Sequence, residues 1–497
     1  MSPKYYLTTA IDYANAAPHL GHAYEKVAAD AIARFHRLRG DDVFFLTGTD
    51  EHGTKIEKTA EKHGMQPKEY VDSLEAAFKG AWDALNIRYD RFIRTTDPDH
   101  RKAVEHIFRT MFEKGDIYKA KYEGWYCKGC EEYKNERDLV EGCCTAHNAK
   151  AEWLSEENYV FKISNYKERL KAHIEQNPEF VQPEFRQKEV LNLLETFPDI
   201  SVSRQNVSWG IPVPDDPSQT IYVWIDALSN YLPGVGYLSD EAKFKQWWPA
   251  DLHLVGKDIT KFHAIIWPAI LMSMDLPLPK TIYSHGFVNI GAQKISKTLG
   301  NVIEPKALSE EYGADAIRYF LLREIPFGKD GDFTQEAFEN RVNADLANNL
   351  GNALNRTLPI LEKNFEGHVP ERVKECEIEL ASLAEEVILD VERAMNSFAL
   401  QDALARIWSL LDGVNKFIDT QAPWALAKNG EKEKLGGVLY AVLESLRIAA
   451  TLASPFIPTL AGKIWEQLGI EKPLNEQRWG DLVWGKLATG TQTHRMG

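Results

Sequence analysis

Ala17-Pro18-His19-Leu20-Gly21-His22 separates an apolar run, Tyr5-Tyr6-Leu7-Thr8-Thr9, from an amphipathic one over 23–38, and the fold is decided at this stretch. In the second run Ala23, Val27, Ala31 and Phe35 recur every four residues, Ala28, Ile32 and Leu38 widen the stripe, and Arg37, Arg39 and Gly40 suit a carboxyl end. The order is strand, short loop, helix. His19 and His22 then fall at the helix amino terminus, where unpaired backbone N–H groups and the positive end of the dipole attract anions. Gly21 allows a ligand close to the backbone, and two imidazoles can donate to phosphate oxygens. From this stretch alone, a phosphate cradle and a pair of helix-capping histidines are equally good readings.

Working outward, the first hundred residues alternate short apolar runs with helical patterns, as in a parallel sheet covered by helices. Asp42 to Leu46 reads as a strand that runs into Thr47-Gly48-Thr49-Asp50-Glu51-His52-Gly53, and Phe92-Ile93 runs into Arg94-Thr95-Thr96-Asp97. Such polar clusters beyond strand ends are where doubly wound sheets bind ligands, although a lone Asp50 is equally a turn residue. The pattern breaks near Lys119. Cys127-Lys128-Gly129-Cys130 and Cys144-Thr145-Ala146-His147 form two knuckles of matching spacing, which predicts one tetrahedral, structural Zn2+ held by Cys127, Cys130, Cys144 and His147. Cys143 could compete with its neighbour for the metal. Tyr159-Val160-Phe161 reads as a strand and residues 187–194 as a helix.

The sheet pattern resumes after Ser203. Residues 222–226 (Tyr-Val-Trp-Ile-Asp), 252–255 and 283–287 read as strands, and 259–272 as a helix. Lys294-Ile295-Ser296-Lys297-Thr298, between Gly291 and Gly300, is a compact basic loop that can clamp a polyphosphate or simply be solvated. From Thr334 the strand signals vanish. Helical patterns over 337–364, 377–394, 399–418, 436–453 and 455–468 predict an all-α bundle.

At 497 residues, with 44% hydrophobic and 26% charged residues, the chain can bury a large core in two to four domains. A net charge of −15 excludes a protein that coats nucleic acid through phosphate neutralisation, so any such contact must be local and shape-matched. No leading segment has the order of a signal peptide, and the most apolar run, 262–279, is broken by His263, Asp275 and prolines. A cytoplasmic chain without a membrane segment is expected. Four of the five cysteines lie within 127–144, which in a reducing compartment suggests metal rather than disulfides.

Assembled in order, these pieces resemble the class I aminoacyl-tRNA synthetases, and within them the methionyl-tRNA synthetases. His19-Leu20-Gly21-His22 and Lys294-Ile295-Ser296-Lys297-Thr298 are similar to the two signature motifs. The resemblance extends over Thr47–Gly53, the cysteine insertion, Trp224-Ile225-Asp226-Ala227, Gly256-Lys257-Asp258-Ile259 with Phe262-His263, Gly313-Ala314-Asp315-Ala316 and Ala422-Pro423-Trp424. It implies an α/β Rossmann-type catalytic domain with a zinc-binding connective insertion, followed by an all-α anticodon-binding bundle. The expected boundaries are 1–118 and 203–290 for the catalytic halves, 119–202 for the insertion, 291–340 for the signature loop and stem contact, and 341–497 for the bundle. The family varies at the signatures, here with Leu20, Ile295 and Thr298. Asp12 departs further, standing where relatives often carry an apolar or aromatic residue.

The activity implied is ligation of L-methionine to its tRNA, initiator and elongator, through methionyl-adenylate, with ATP and Mg2+. A methionine carboxylate is already ionised at neutral pH, so adenylation needs positioning and charge stabilisation rather than a base. By resemblance, His19, His22, Lys294 and Lys297 supply these, with Lys297 foremost. Gly21, Glu25, Gly256 and Asp258 face the nucleotide, and Asp50 holds the methionine ammonium. Ile11, Trp224, Ala227, Tyr231, Phe262 and His263 form the methionine pocket, Tyr231 and His263 being able to donate weakly to sulfur. Trp267 is either a wall of that pocket or plain core. The transfer step has no assigned base. The insertion is too short for a large editing domain. Asn352, Arg356 and Trp424 match anticodon positions, though they also read as a surface polar pair and a buried tryptophan. A monomer is expected. Another nucleotidyltransferase, or a tRNA-binding paralogue without catalysis, are the alternatives.

Overall fold

The computed structural model describes residues 2–495 except 130, 135, 137–138, 146–148, 206 and 296–300, with backbone alone at 149 and 294. The sequence-defining strand is β1 (Lys4–Thr9), followed by the short β2 (Asp12–Tyr13) and the long helix α1 (Leu20–Arg39). The chain returns as β3 (Asp42–Asp50) and, after two helices, β4 (Arg91–Arg94) and α2 (Pro98–Glu113). Strands β5 (Val181–Gln182), β6 (Leu252–Gly256) and β7 (Thr281–His285) complete a seven-stranded sheet. Its order is β5-β7-β6-β1-β3-β2, with β4 also on β3, and every pairing is parallel.

The strands are apolar almost throughout because both faces are covered. Leu7, Phe45, Leu252 and Leu254 pack into one core with α1, while Tyr6, Leu46, Val255 and Ile282 pack into the other. Gly48 belongs to this economy, since a Cβ there would lie 1.9 Å from the Ile93 carbonyl oxygen and drive β4 off β3. The chain leaves β1 for β3 on one side and reaches β6 on the other, so the loop after β1 lies at the topological switch point.

Between the sheet halves, Ile117–Cys127 and Glu152–Phe161 form a long antiparallel pair, extended by Glu132–Lys134 and Ile200–Ser201. Residues expected as a strand at 222–226 instead form the helix α3 (Val223–Leu228), with only Tyr222 extended at its N-cap. The reason is burial: Ile225, Asp226, Ala227 and Leu228 are all enclosed, so the helix shows no polar face and no period, and its aromatic and β-branched residues mimic a strand. The predicted helix over 259–272 is a 3₁₀ turn, a π-helical segment (Phe262–Ile266) and an α-helix (Trp267–Ser273).

Helix α4 (Ala314–Glu324) leads into the all-α part. The predicted 337–364 helix is interrupted by a π segment, Val342–Gly351, before α5 (Asn352–Phe365). The bundle continues with α6 (Lys374–Asn396), α7 (Leu400–Gln421), α8 (Pro423–Asn429), α9 (Lys432–Ala453) and α10 (Pro458–Gln467). Among the described residues α9 alone is long and apolar enough to cross a membrane, and its apolar window is wholly buried in the bundle. Arg318 of α4, fully buried, pairs with Asp30 of α1 at 2.7 Å and donates to the Leu85, Pro455 and Phe456 carbonyls, joining sheet and bundle.

Candidate active site

At the start of α1 both histidines cap the helix. His19 is the N-cap, its Nδ1 accepting the Gly21 N–H at 3.1 Å, and His22 Nδ1 accepts the His19 N–H at 3.1 Å. Each imidazole therefore caps the helix through Nδ1, which puts the ring proton on Nε2, a donor of the kind a phosphate oxygen needs. The rings stack at 3.8 Å. Burial, with His19 and Lys26 nearby, lowers His22 well below its ordinary range, so it acts as a neutral donor. A Cβ on Gly21 would come within 3.0 Å of the His19 ring and 3.6 Å of Ile295, so Ile295 reaches this helix end. Within that loop the Lys294 side chain and all of Lys297 lie outside the described residues.

Beneath the helix start lies a buried polar network. Lys26 Nζ donates to Asp12 Oδ1 at 2.8 Å, Glu25 Oε1 at 2.7 Å and the Ala10 carbonyl at 2.9 Å, using all three protons. Glu25 Oε2 meets His285 Nε2, at the end of β7, at 2.9 Å. Burial pushes the Glu25 carboxyl up, but Lys26 and His285 outweigh it and hold it below the usual range. Asp12 is the surplus carboxylate: burial raises it to about 7 against the pull of Lys26, and its Oδ2 has no partner. The departure at Asp12 is thus answered by Lys26 under the sheet end rather than in a pocket wall. Gly256 ends β6, and a Cβ there would lie 2.8 Å from Asp258 Oδ1 and 3.9 Å from the His285 ring.

On the other side of the switch point, Asp50 ends β3. Its Oδ1 is buried without a hydrogen-bond partner, and burial, then Asp226 and Glu131, raises its carboxyl well above the ordinary range. An enclosed carboxylate in this state fits a cationic ligand such as an α-ammonium. Nearby, Trp224 and Phe262 stack at 3.7 Å and 8°, and the Trp224 Nε1–H is also buried without a partner. His263 Nδ1 lies 3.0 Å from the Ile259 carbonyl and its Nε2 2.7 Å from the Tyr231 hydroxyl. His263 Nδ1–H must then donate to Ile259 and Tyr231 O–H to His263, so in this arrangement neither proton is offered to a thioether sulfur. Burial lowers His263 to about 4, leaving the ring neutral. Ile11 is half-buried and Ala227 buried. Trp267 is fully enclosed, donating to His253 at 3.2 Å, and is core.

Sequence reasoning missed three buried groups. His52 Nδ1 and His100 Nε2 each lie 2.6 Å from a different oxygen of Asp226, all enclosed. A polar Asp226 inside the apolar 222–228 run was the available signal. In the insertion, Cys127 and Cys144 are buried and Cys143, on the opposite face of its strand, is partly exposed. Cys130 and His147 lie outside the described residues, and among those described no group of three His, Cys, Asp or Glu side chains could hold a metal ion. In the bundle, Pro423 opens α8, Trp424 is 49% exposed, and Arg356 of α5 lies 5.4 Å over its ring while pairing with Asp419. Asn352, one turn back on α5, donates to the Asn348 carbonyl.

These features agree with what is known of other proteins. The family described as tRNA synthetases class I (M) matches residues 5–152 and 135–358, and that described as anticodon-binding domain of tRNA ligase matches 378–491. The methionine–tRNA ligase of Caldanaerobacter subterraneus subsp. tengcongensis is 49% identical over 500 residues, covering 100% of this chain and 78% of the relative. That of Synechocystis sp. is 46% identical over 505 residues, covering 97% and 95%. Mycobacterium tuberculosis methionyl-tRNA synthetase in complex with methionyl-adenylate matches with a TM-score of 0.96 at 42% identity, over 100% of this chain and 99% of that one. On these grounds the chain belongs to the methionyl class I tRNA synthetases.

Proposed function

We infer that the chain activates L-methionine with ATP, releasing pyrophosphate, and transfers the methionyl group from the adenylate to its tRNA, initiator or elongator, releasing AMP. The observation that carries this is the pairing of an anion-ready helix end at His19 and His22 with the cation-seeking Asp50 across one switch point.

In the first step a methionine carboxylate oxygen attacks the α-phosphorus, and the bond to the bridging oxygen of pyrophosphate breaks; no proton moves. Asp50 holds the ammonium, and Ile11, Trp224, Ala227, Tyr231, Phe262 and His263 enclose the side chain. His19 and His22 donate through Nε2 to phosphate oxygens, and Lys294 and Lys297 meet the charge that builds on them. Glu25, Gly256 and Asp258 receive the nucleoside, with Gly21 letting the phosphates approach the helix. Mg2+ bound with ATP would neutralise the departing pyrophosphate.

Residues 1–118 and 203–290 serve catalysis and 291–340 the signature loop and stem, while 341–497 read the anticodon through Asn352, Arg356 and Trp424. The insertion, 119–202, is held by a structural Zn2+ on Cys127, Cys130, Cys144 and His147, a reading supported by the buried Cys127 and Cys144. Cys144→Ala should release zinc and lower stability, and Cys143→Ala should do neither; metal loss from the Cys143 variant alone would reverse the ligand assignment. A cytoplasmic monomer is retained from the sequence reading.

The decisive assay is methionine-dependent pyrophosphate exchange. Lys297→Ala should slow it on the order of 100-fold or more, with methionine affinity nearly unchanged, as for a group that acts mainly in the transition state. Absence of exchange in the unaltered protein, with methionine tRNA still bound, would favour a binding paralogue.

A further inference from the structure

One buried carboxylate ties together three elements around the methionine side. Asp226, on α3 between Trp224 and Ala227, accepts from His52 through Oδ2 and from His100 through Oδ1, each at 2.6 Å. His52 lies two residues beyond Asp50, and its backbone N–H donates to the Asp50 carboxylate. His100 lies in the first turn of α2, and its other nitrogen, Nδ1, is buried without a partner. We propose that the His52–Asp226–His100 clamp positions the methionine half of the site, fixing Asp50 against α3. The proposal rests on the assignment of Asp50, Trp224 and Ala227 to methionine.

Two physical effects follow from this arrangement. The first is geometric: a carboxylate with two acceptor oxygens can satisfy two ring N–H donors at once, and the buried hydrogen bonds leave the loop after β3 and α3 no independent freedom. The second is electrostatic: Asp226 is, after burial, the largest influence raising the Asp50 carboxyl, so its charge adds to the field that draws an ammonium to Asp50. Burial alone would push Asp226 up, but its two imidazoles hold it down at about 2, which keeps that charge in place. None of the three side chains has a role on the nucleotide side, where Glu25, Lys26 and His285 form their own network.

Asp226→Asn offers one acceptor and one donor where two acceptors are required. It should raise the methionine KM in pyrophosphate exchange on the order of 10- to 100-fold, the range for losing a hydrogen bond to a charged group, with the ATP KM within about twofold. Methionine should cease to raise the melting temperature while ATP still does. His100→Leu should act in the same direction, and His100→Gln, which keeps a donor toward Asp226, should restore the methionine KM. Equal changes in both KM values, an unchanged methionine KM, or His100→Leu and His100→Gln behaving alike would overturn the proposal. If Asp226→Asn does not fold, the His100 pair decides alone. Failure of the unaltered protein to use methionine would instead overturn the functional assignment beneath it.

Discussion

The buried clusters around Lys26 and around Asp50 differ in whether the protein itself supplies the cation. Around Lys26, Asp12 and Glu25 both meet its ammonium and Glu25 also meets His285, so every ion there has a partner within the protein, although Asp12 keeps one oxygen unbonded. On the methionine side Asp50 keeps an oxygen with no partner and a carboxyl pushed well up by burial, Asp226 and Glu131. The first arrangement is rigid before any ligand arrives. The second is unfavourable without a cation, and a bound ammonium would supply the missing charge.

The contrast can be broken most forcefully at Lys26. Lys26→Met leaves two buried carboxylates facing each other without their cation, and should cost about 3–5 kcal/mol of stability in denaturant unfolding. A loss under about 1 kcal/mol would mean that the nucleotide side is not held together by this charge.

Asp50→Asn should behave oppositely. It should cost about 2–5 kcal/mol in methionine binding, the scale for truncating one partner of a buried charge pair, while the ligand-free protein melts no lower than the parent. Its pH signature has a defined sign. The folded carboxyl lies above the unfolded value of about 3.9, so the folded state holds the extra proton. The contribution of Asp50 to stability is full below about pH 4 and is lost as pH rises through the folded value. Asp50→Asn, or saturating methionine on the parent, should flatten that fall; a parent whose ligand-free stability is indifferent to both would show Asp50 to be compensated already.

Trp424→Ala tests the contrast from outside. It should cost about 1–3 kcal/mol in tRNA recognition, one base stack, and leave tRNA-independent exchange intact. A folded variant charging tRNA at the parental rate would remove Trp424 from the interface.

How much of this was legible in the sequence follows the range of the interactions. The strand-loop-helix at residues 5–38 was readable because its period and its caps are local. So was Pro423 at the head of α8. Helix α3 was not, because a six-residue helix whose last four residues are all enclosed lacks the amphipathic period that distinguishes it from a strand. Nothing local marks Lys26 and Glu25 as a buried network, because its other members, Asp12 fourteen residues before Lys26 and His285 far along the chain, are brought in by the fold. The same distance hid His52 and His100 from Asp226. Asp50 was legible as a polar residue at a strand end, but its unpartnered oxygen is a property of packing alone.

The saturation of Lys26 has a chemical consequence of its own. An acyl adenylate is an electrophile that any free amine would capture, and a lysine lies one helical turn beyond His22. Burial alone would lower that ammonium toward the reactive free base, but Asp12 and Glu25 outweigh it and raise it instead. With its three protons committed to Ala10, Asp12 and Glu25, Lys26 stays an ammonium without a lone pair, so the bonds that brace this cluster also leave the lysine no means to attack an acyl group.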